Sequence, residues 1–287
     1  MLIKRIITAL VLLAILLPAL FFGSPNLFNG LALILIAAGV WEWSRMNGYS
    51  QAHAIFFALD AFLICWGLMY LGLTRYPMPI LWLIVTAVWV LVSGYLLKNG
   101  IASWARIPKP LRMIAGLLLI CTAWLAVAQL RVVGINLLLS ALLLVWAADI
   151  CAYAAGRLLG GKLFGKLIDK SKLAPAISPG KTWEGVVGGF VGVLLIASFW
   201  LWVDHHYVSD SLSLYTLLWE RGALFALLAL VFLTMLAVVG DLIESLVKRS
   251  AGVKDSSHLL PGHGGVLDRV DALLPVLPAA MFFVSLL

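Results

Sequence analysis

The sequence predicts an all-α, polytopic integral membrane protein of about nine transmembrane helices with a cytoplasmic N-terminus. Composition, the length of the apolar runs and the placement of charge carry that prediction. Hydrophobic residues fill 63% of the 287 positions and charged residues 11%, against roughly 45–50% and 25% in soluble domains. A water-soluble globule cannot hide that much apolar surface. Apolar runs of 17 to 22 residues recur along the chain, the length a helix needs to cross a hydrocarbon layer about 30 Å thick.

The first run, residues 6–22, follows Lys4 and Arg5. No A-x-A-like cleavage site comes after it and further runs follow directly, so it reads as an uncleaved first span rather than a signal peptide. Runs at 27–44, 54–73, 78–97 and 113–130 complete an N-terminal group of helices, residues 1–130. Runs at 133–155, 184–203, 222–243 and 270–287 build a C-terminal transmembrane region, residues 131–287, with polar loops at 156–183 and 244–271. Pro275 and Pro278 interrupt the last run.

With the N-terminus in the cytoplasm, 17 of the 20 Lys and Arg residues fall on the cytoplasmic side, leaving Arg75, Arg131 and Arg221 outside. That asymmetry follows the positive-inside rule. It also assigns the net charge of +7 to the lipid bilayer rather than to a nucleic acid. Cys65, Cys121 and Cys151 lie in apolar stretches without CxxC spacing, which indicates neither a zinc site nor a disulfide framework. The outer loop 204–221, with Asp204, His205, His206, Asp210 and Glu220, reads as a solvated loop rather than a metal site.

Chemistry concentrates in Ser245–Asp271, where four basic residues, three Asp and two His occupy 27 positions. Just before this stretch, Asp241, Glu244, Ser245 and Lys248 follow i, i+3, i+4, i+7 spacing and share one helix face. Acids near a bilayer are costly and normally face a wet interior. Asp268 and Asp271 form a second acidic group across a short loop, and carboxylates from two segments suit a hard cation such as Mg²⁺. The intervening PGHGG at Pro261–Gly265 brings glycine backbone that a phosphate can approach closely. Lys254 and Arg269 flank it with charge suited to phosphates.

A second constellation runs from Asp149 through Tyr153, Gly156 and Arg157 to ISPGKTWEG, where Ser178, Lys181 and Thr182 offer hydroxyls and a cation. The Walker pattern needs a glycine where Pro175 stands, so a P-loop is excluded. No dinucleotide fingerprint opens a helix either. Lys162, Lys166, Lys170 and Lys172 read as positive-inside charge or lipid contacts. His258 and His263 are candidate general acids or bases or metal ligands, with a structural loop role as the other reading of His258.

At these residues the sequence resembles the phosphatidate cytidylyltransferase (CDP-diacylglycerol synthase) family, bacterial type. The family signature, S-x-x-K-R, K-D, P-x-H-G-G and D-R-x-D, is met by Ser245, Lys248, Arg249, Lys254, Asp255, Pro261, His263, Gly264, Gly265, Asp268, Arg269 and Asp271. The likeness extends to WEW at Trp41–Trp43 and to SPGKTWEG at Ser178–Gly185. It departs from the family after Asp149, at Ile150 and Cys151, and in the length of 160–172.

The resemblance implies an enzyme of phospholipid biosynthesis in a bacterial inner membrane, with its active site facing the cytoplasm. Its substrates would be CTP and phosphatidate, and its products CDP-diacylglycerol and pyrophosphate. Mg²⁺ would be held by Asp241 and Asp268, with Asp149 and Glu244 as further candidates and K⁺ as a second ion. Lys248, Arg249, Lys254 and Arg269 would meet phosphates, and His263 would shape the loop or touch pyrophosphate. Ser178, Lys181, Thr182, Gly264, Gly265, Asp255 and Asp271 are expected around the substrates. A homodimer stays open, as do two rival activities: an ion transporter and a CTP-dependent lipid kinase.

Overall fold

A computed structural model describes residues 2–163, 172–207 and 209–286. Lys166 and Lys170 lie outside the described residues. The chain is almost entirely helical. The N-terminal half comprises α1 (Leu2–Phe21), α2 (Pro25–Met46), α3 (Gln51–Tyr70), α4 (Pro79–Asn99), the short α5 (Ile101–Arg106) and α6 (Lys109–Val133). After α7 (Ile135–Leu159) a small antiparallel hairpin pairs β1 (Lys172–Ala174) with β2 (Ser178–Thr182). Then follow α8 (Trp183–His206), α9 (Leu214–Glu220), α10 (Ala223–Ser250), α11 (Leu267–Val270) and α12 (Leu273–Ser285).

Seven of the described helices, α2, α3, α4, α6, α7, α8 and α10, are long and apolar enough to cross a membrane. The sequence expectation of about nine also included α1, whose shorter described apolar part is Leu10–Phe21, and α12. The latter has 13 residues, about 20 Å at 1.5 Å per residue, with Pro278 inside it. Every residue from Leu274 to Met281 is buried. Proline removes an amide from the helix ladder, and α12 gains its stability from a packed sheath of neighbours rather than from lipid. It contacts α4, α6 and α10.

The tightest helix pair is α7 with α8, and glycine makes it possible. Gly185, Gly188, Gly189 and Gly192 present a groove to Ala148, Cys151, Ala152 and Ala155. A Cβ on Gly188 would overlap the Ala155 methyl, and one on Gly192 would overlap the Cys151 sulfur. Small residues of this kind let membrane helices approach closely. Cys151 is thus a packing residue here, and Cys65 and Cys121 are buried free thiols.

The 204–221 segment is tied down rather than simply solvated. Asp210 accepts from the backbone amides of Ile135 (2.5 Å) and Asn136 (3.0 Å) at the start of α7. Asp204 accepts from the Ser213 amide (3.0 Å), the Thr216 hydroxyl (2.6 Å) and the Asn136 side chain (2.9 Å). Both acids satisfy orphan amides at helix starts. Arg131, one of the three basic residues outside the positive-inside pattern, is buried and donates to the carbonyls of Leu20 (2.9 Å) and Gly23 (3.1 Å). Its charge sits where α1 ends, a favourable place for a cation.

Candidate functional site

A cavity of about 550 Å³ opens between the α7/α8 pair and α10, with β2 and α11 closing one end. Its wall carries Asp149 of α7, Asp241 of α10, Asp268 of α11 and Asp271 just after α11. The wall cations are Arg157, Lys181 and Arg269. Ser178 and Thr182 also line it, and the Thr182 hydroxyl caps α8 by accepting from the Gly185 amide at 3.1 Å.

Lys181 reaches from β2 to Asp241 (2.7 Å) and to the Val238 carbonyl (3.3 Å). One oxygen of Asp241 therefore faces an ammonium, and the other accepts a long bond from Ser245 (3.2 Å). The SPGKT segment is held in turn by Lys172, which donates to the Pro179 carbonyl (2.7 Å), and by Arg249, which donates to Ile177 (3.4 Å). Arg249 thus supports the hairpin.

Asp268 is gripped on both oxygens. Its Oδ2 accepts from the amides of Ser256 (2.9 Å) and Gly265 (2.8 Å) and from the Ser256 hydroxyl (2.9 Å); its Oδ1 accepts from Lys248 (2.6 Å). Burial pushes this carboxyl up, but the bonds from Lys248, Gly265 and Ser256 outweigh it and hold Asp268 below the ordinary carboxylate range. Lys248 is also ion-paired with the buried Glu244. Asp271 is different. Burial, reinforced by the charges of Asp241 and Asp149, pushes its carboxyl up to about 7 against a bond from the Ala272 amide.

Behind the cavity lies a residue that sequence reasoning passed over. Glu42, the acid of the WEW segment in α2, is fully buried. It accepts from the Ser257 hydroxyl (2.6 Å) and from the amides of Val266 (2.8 Å) and Leu267 (2.8 Å), and it shares the single proton of the Ser256 hydroxyl (3.1 Å) with Asp268. An acid in an apolar run is itself a signal of a buried polar partner, but nothing in the sequence says which loop supplies it. Gly265 is packed against this carboxylate and the Ser256 hydroxyl so closely that a Cβ there would overlap both. Gly262 and Gly264 take positive φ, +78° and +85°, which glycine alone adopts at little cost.

The expected site residues therefore divide. Asp149, Asp241, Asp268, Asp271, Ser178, Lys181, Thr182 and Arg269 share the cavity wall. Lys248 lies between Glu244 and Asp268, behind that wall. The amides of Gly265, Val266 and Leu267 turn onto Asp268 and Glu42. The His263 carbonyl accepts both Arg269 bonds (3.1 and 2.7 Å), so His263 takes part in loop geometry. Lys254, Asp255 and His258 are exposed outside the cavity wall. Among the described residues no three His, Cys, Asp or Glu side chains are grouped to hold a metal ion by themselves.

The same residues can be compared with known proteins. The chain is 36% identical over 285 residues to a phosphatidate cytidylyltransferase of Pseudomonas aeruginosa, covering 97% of this chain and 95% of that protein. It is 35% identical over 305 residues to one of Haemophilus influenzae, covering 99% and 98%. A Staphylococcus aureus enzyme of the same name is 32% identical over 282 residues, covering 96% and 95%. These alignments leave no sizeable part of either partner unmatched, and the cytidylyltransferase family model matches residues 3–287. A multi-helical chain with this polar cavity, alike from end to end, belongs to the cytidylyltransferase family.

Proposed function

We propose that this protein transfers the cytidylyl group of CTP to phosphatidate, forming CDP-diacylglycerol and pyrophosphate at the cytoplasmic face of a bacterial inner membrane. The observation that carries this reading is the cavity itself: alternating cations and carboxylates between apolar helices, in a chain of the cytidylyltransferase family. Placement of 17 of 20 basic residues on one side supports the orientation, with the N-terminus inside.

In the reaction an oxygen of the lipid phosphate attacks the α-phosphorus of CTP. The bond from that phosphorus to the bridging oxygen of the β-phosphate breaks, and pyrophosphate leaves with the electron pair. A phosphate monoester, with second pKa about 6, is already mostly dianionic at neutral pH. A strong general base is therefore unnecessary, and rate comes from positioning and from neutralising charge. Lys181 and Arg269 stand on the wall where phosphate charge must be met. Lys248 acts at one remove, by fixing Asp268.

The donor set fits a hard divalent ion such as Mg²⁺. Mg²⁺ is commonly held by one or two carboxylates with substrate phosphates and water completing the shell, so a cluster of three protein ligands is not required. Of the two acids the resemblance implicates, Asp241 is the freer ligand, since its Oδ1 makes only a long bond to Ser245 whereas both oxygens of Asp268 are held. Burial and then the charges of Asp241 and Asp149 raise Asp271, and the repulsion among these acids is a cost a cation relieves. Asp149 and Asp271, on the same cavity wall, would be the second donors, whereas Asp268 would have to exchange Lys248 or Ser256 for the ion, and Glu244 lies behind Lys248. When bound, such an ion would neutralise charge on the departing pyrophosphate; K⁺ beside it is a further part of the proposal.

The deciding experiment supplies CTP labelled at the α-phosphate, Mg²⁺ and phosphatidate to purified protein in detergent. Label is expected in the lipid, with pyrophosphate as the small product. Label confined to soluble nucleotide would refute the reading, and CDP as the small product would point to a lipid kinase.

A further inference from the structure

The three cations on the cavity wall are not equivalent. Lys181 is committed to Asp241 and Val238, and Arg269 donates twice to the His263 carbonyl. Arg157, in the last turn of α7, donates to the Tyr153 hydroxyl (3.0 Å) and has no carboxylate or carbonyl partner among the described residues. It is exposed, and Tyr153, one turn earlier, is 67% exposed.

The surroundings of this pair are apolar. Ile150 and Leu158 on α7 are 68% and 67% exposed, and across the cavity α10 exposes Val231 and Met235. Asp149 lies eight residues before Arg157, about 12 Å along the helix. The cavity wall thus carries acids at Asp149, Asp241 and Asp271 and, farther along α7, a cation at Arg157 that borders exposed apolar helix faces. A long Arg side chain suits that border, with its stem on the apolar surface and its head in water. Its planar fork matches two phosphate oxygens at once. Because the Tyr153 oxygen accepts from Arg157, the phenol proton stays available for the same phosphate.

We propose that Arg157, oriented by Tyr153, binds the phosphate monoester of the lipid substrate and so determines affinity for the lipid rather than for the nucleotide. The inference rests on the cytidylyltransferase reading above. A soluble triphosphate has no use for the apolar faces beside Arg157, whereas a phosphate carried on two acyl chains has its charge and its chains satisfied together there.

The test compares Arg157→Ala, Arg157→Lys and Tyr153→Phe with the parent protein at fixed detergent, measuring KM for phosphatidate and for CTP separately. For Arg157→Ala the lipid KM is expected to rise about tenfold or more, as loss of a charge-assisted bond implies, with the CTP KM changed less than about twofold. Arg157→Lys keeps the charge without the fork and is expected to fall between. Tyr153→Phe should raise the lipid KM by a smaller factor. A rise confined to the CTP KM, an equal rise in both, or no change in either overturns the proposal. Thermal stabilisation of Arg157→Ala by CTP provides a second measurement independent of turnover; its loss also overturns the proposal. Failure of the parent protein to label lipid is a separate result, which refutes the function and not the position of Arg157.

Discussion

The carboxylate of Glu42 in α2 accepts from the backbone amide of Leu267 at 2.8 Å across 225 positions of sequence. That bond, with its three companions from Val266, Ser256 and Ser257, joins the N-terminal helices to the loop that presents Asp268. The two halves legible in the sequence are therefore not energetically independent. Glu42 acts through Asp268 and the loop, which makes it a positioning residue. Removing it as Glu42→Ala leaves two amides and the Ser257 hydroxyl without their acceptor, the Ser256 hydroxyl keeping Asp268, and a bond to a charged group is worth about 1.5–3 kcal/mol. We expect a large loss of thermal stability in detergent and loss of turnover. Glu42→Gln keeps the shape but turns an NH₂ toward donors, so kcat should fall with a smaller drop in stability. Full kcat in Glu42→Gln would show that the loop does not need this anchor.

Lys248 offers a sharper contrast between structure and substrate binding. It neutralises Glu244 and Asp268 together, and all three side chains are largely buried, at 12%, 4% and 7% exposure. Breaking a buried pair by removing one partner costs about 3–5 kcal/mol because it strands the other charge. Lys248→Met should therefore lower the unfolding midpoint measurably. Adding Glu244→Gln should recover part of that stability by removing one stranded acid. If Lys248→Met leaves the midpoint unchanged and only raises the CTP KM, the residue contacts phosphates directly.

The α7/α8 seam predicts an effect on geometry without touching a polar group. A Cβ on Gly188 would overlap the Ala155 methyl, so Gly188→Ala forces the helices apart, at a cost of about 1–3 kcal/mol for overpacking. Since these helices form one wall of the cavity, kcat should fall together with stability. Ala155→Gly in the same protein restores the space and should restore both. Persistence of the defect in the double variant would mean that the seam is not its cause.

How much of this was legible follows from what a linear sequence encodes. Helix number was nearly so, because hydropathy reports lipid solvent directly. Two expected spans, α1 and α12, fall short of a membrane-crossing length among the described residues; the residues of α12 from Leu274 to Met281 pack against protein, and hydropathy does not tell a protein neighbour from a lipid one. Asp241, Asp268, Asp271 and Lys181 were legible as cavity residues because charges in so apolar a chain need a polar setting. The partners were not. Lys248 beside Glu244 at i+4 looked like two groups of one site, but the distance to Asp268 decides that they form a clamp. Glycines 262, 264 and 265 suggested room for a phosphate, whereas the close approach they permit is partly to Asp268 and Glu42. Glu42 itself acts through residues more than 200 positions away, a relation that no local spacing carries.

Metal dependence gives the remaining prediction. Activity of the purified protein should vanish on treatment with a chelator and return on addition of Mg²⁺. That result alone would also follow if the ion entered only as a complex with CTP, so a protein ligand needs a variant. Asp241 has a less committed oxygen than Asp268, its Oδ1 accepting only a long bond from Ser245, and Asp241→Asn removes its charge while keeping its volume. The substitution also releases Lys181 from its ion pair, which makes a bare loss of activity ambiguous. The informative quantity is the Mg²⁺ concentration for half-maximal rate at saturating CTP. A lost carboxylate ligand should raise it about tenfold or more, each 1.4 kcal/mol of lost affinity being one decade. Lys181→Met, which frees Asp241 from its ammonium, should leave that concentration unchanged or lower it, because the ion then meets less competing charge. If the two variants shift the Mg²⁺ requirement in the same direction and by the same factor, the ion pair matters and Asp241 is not a ligand.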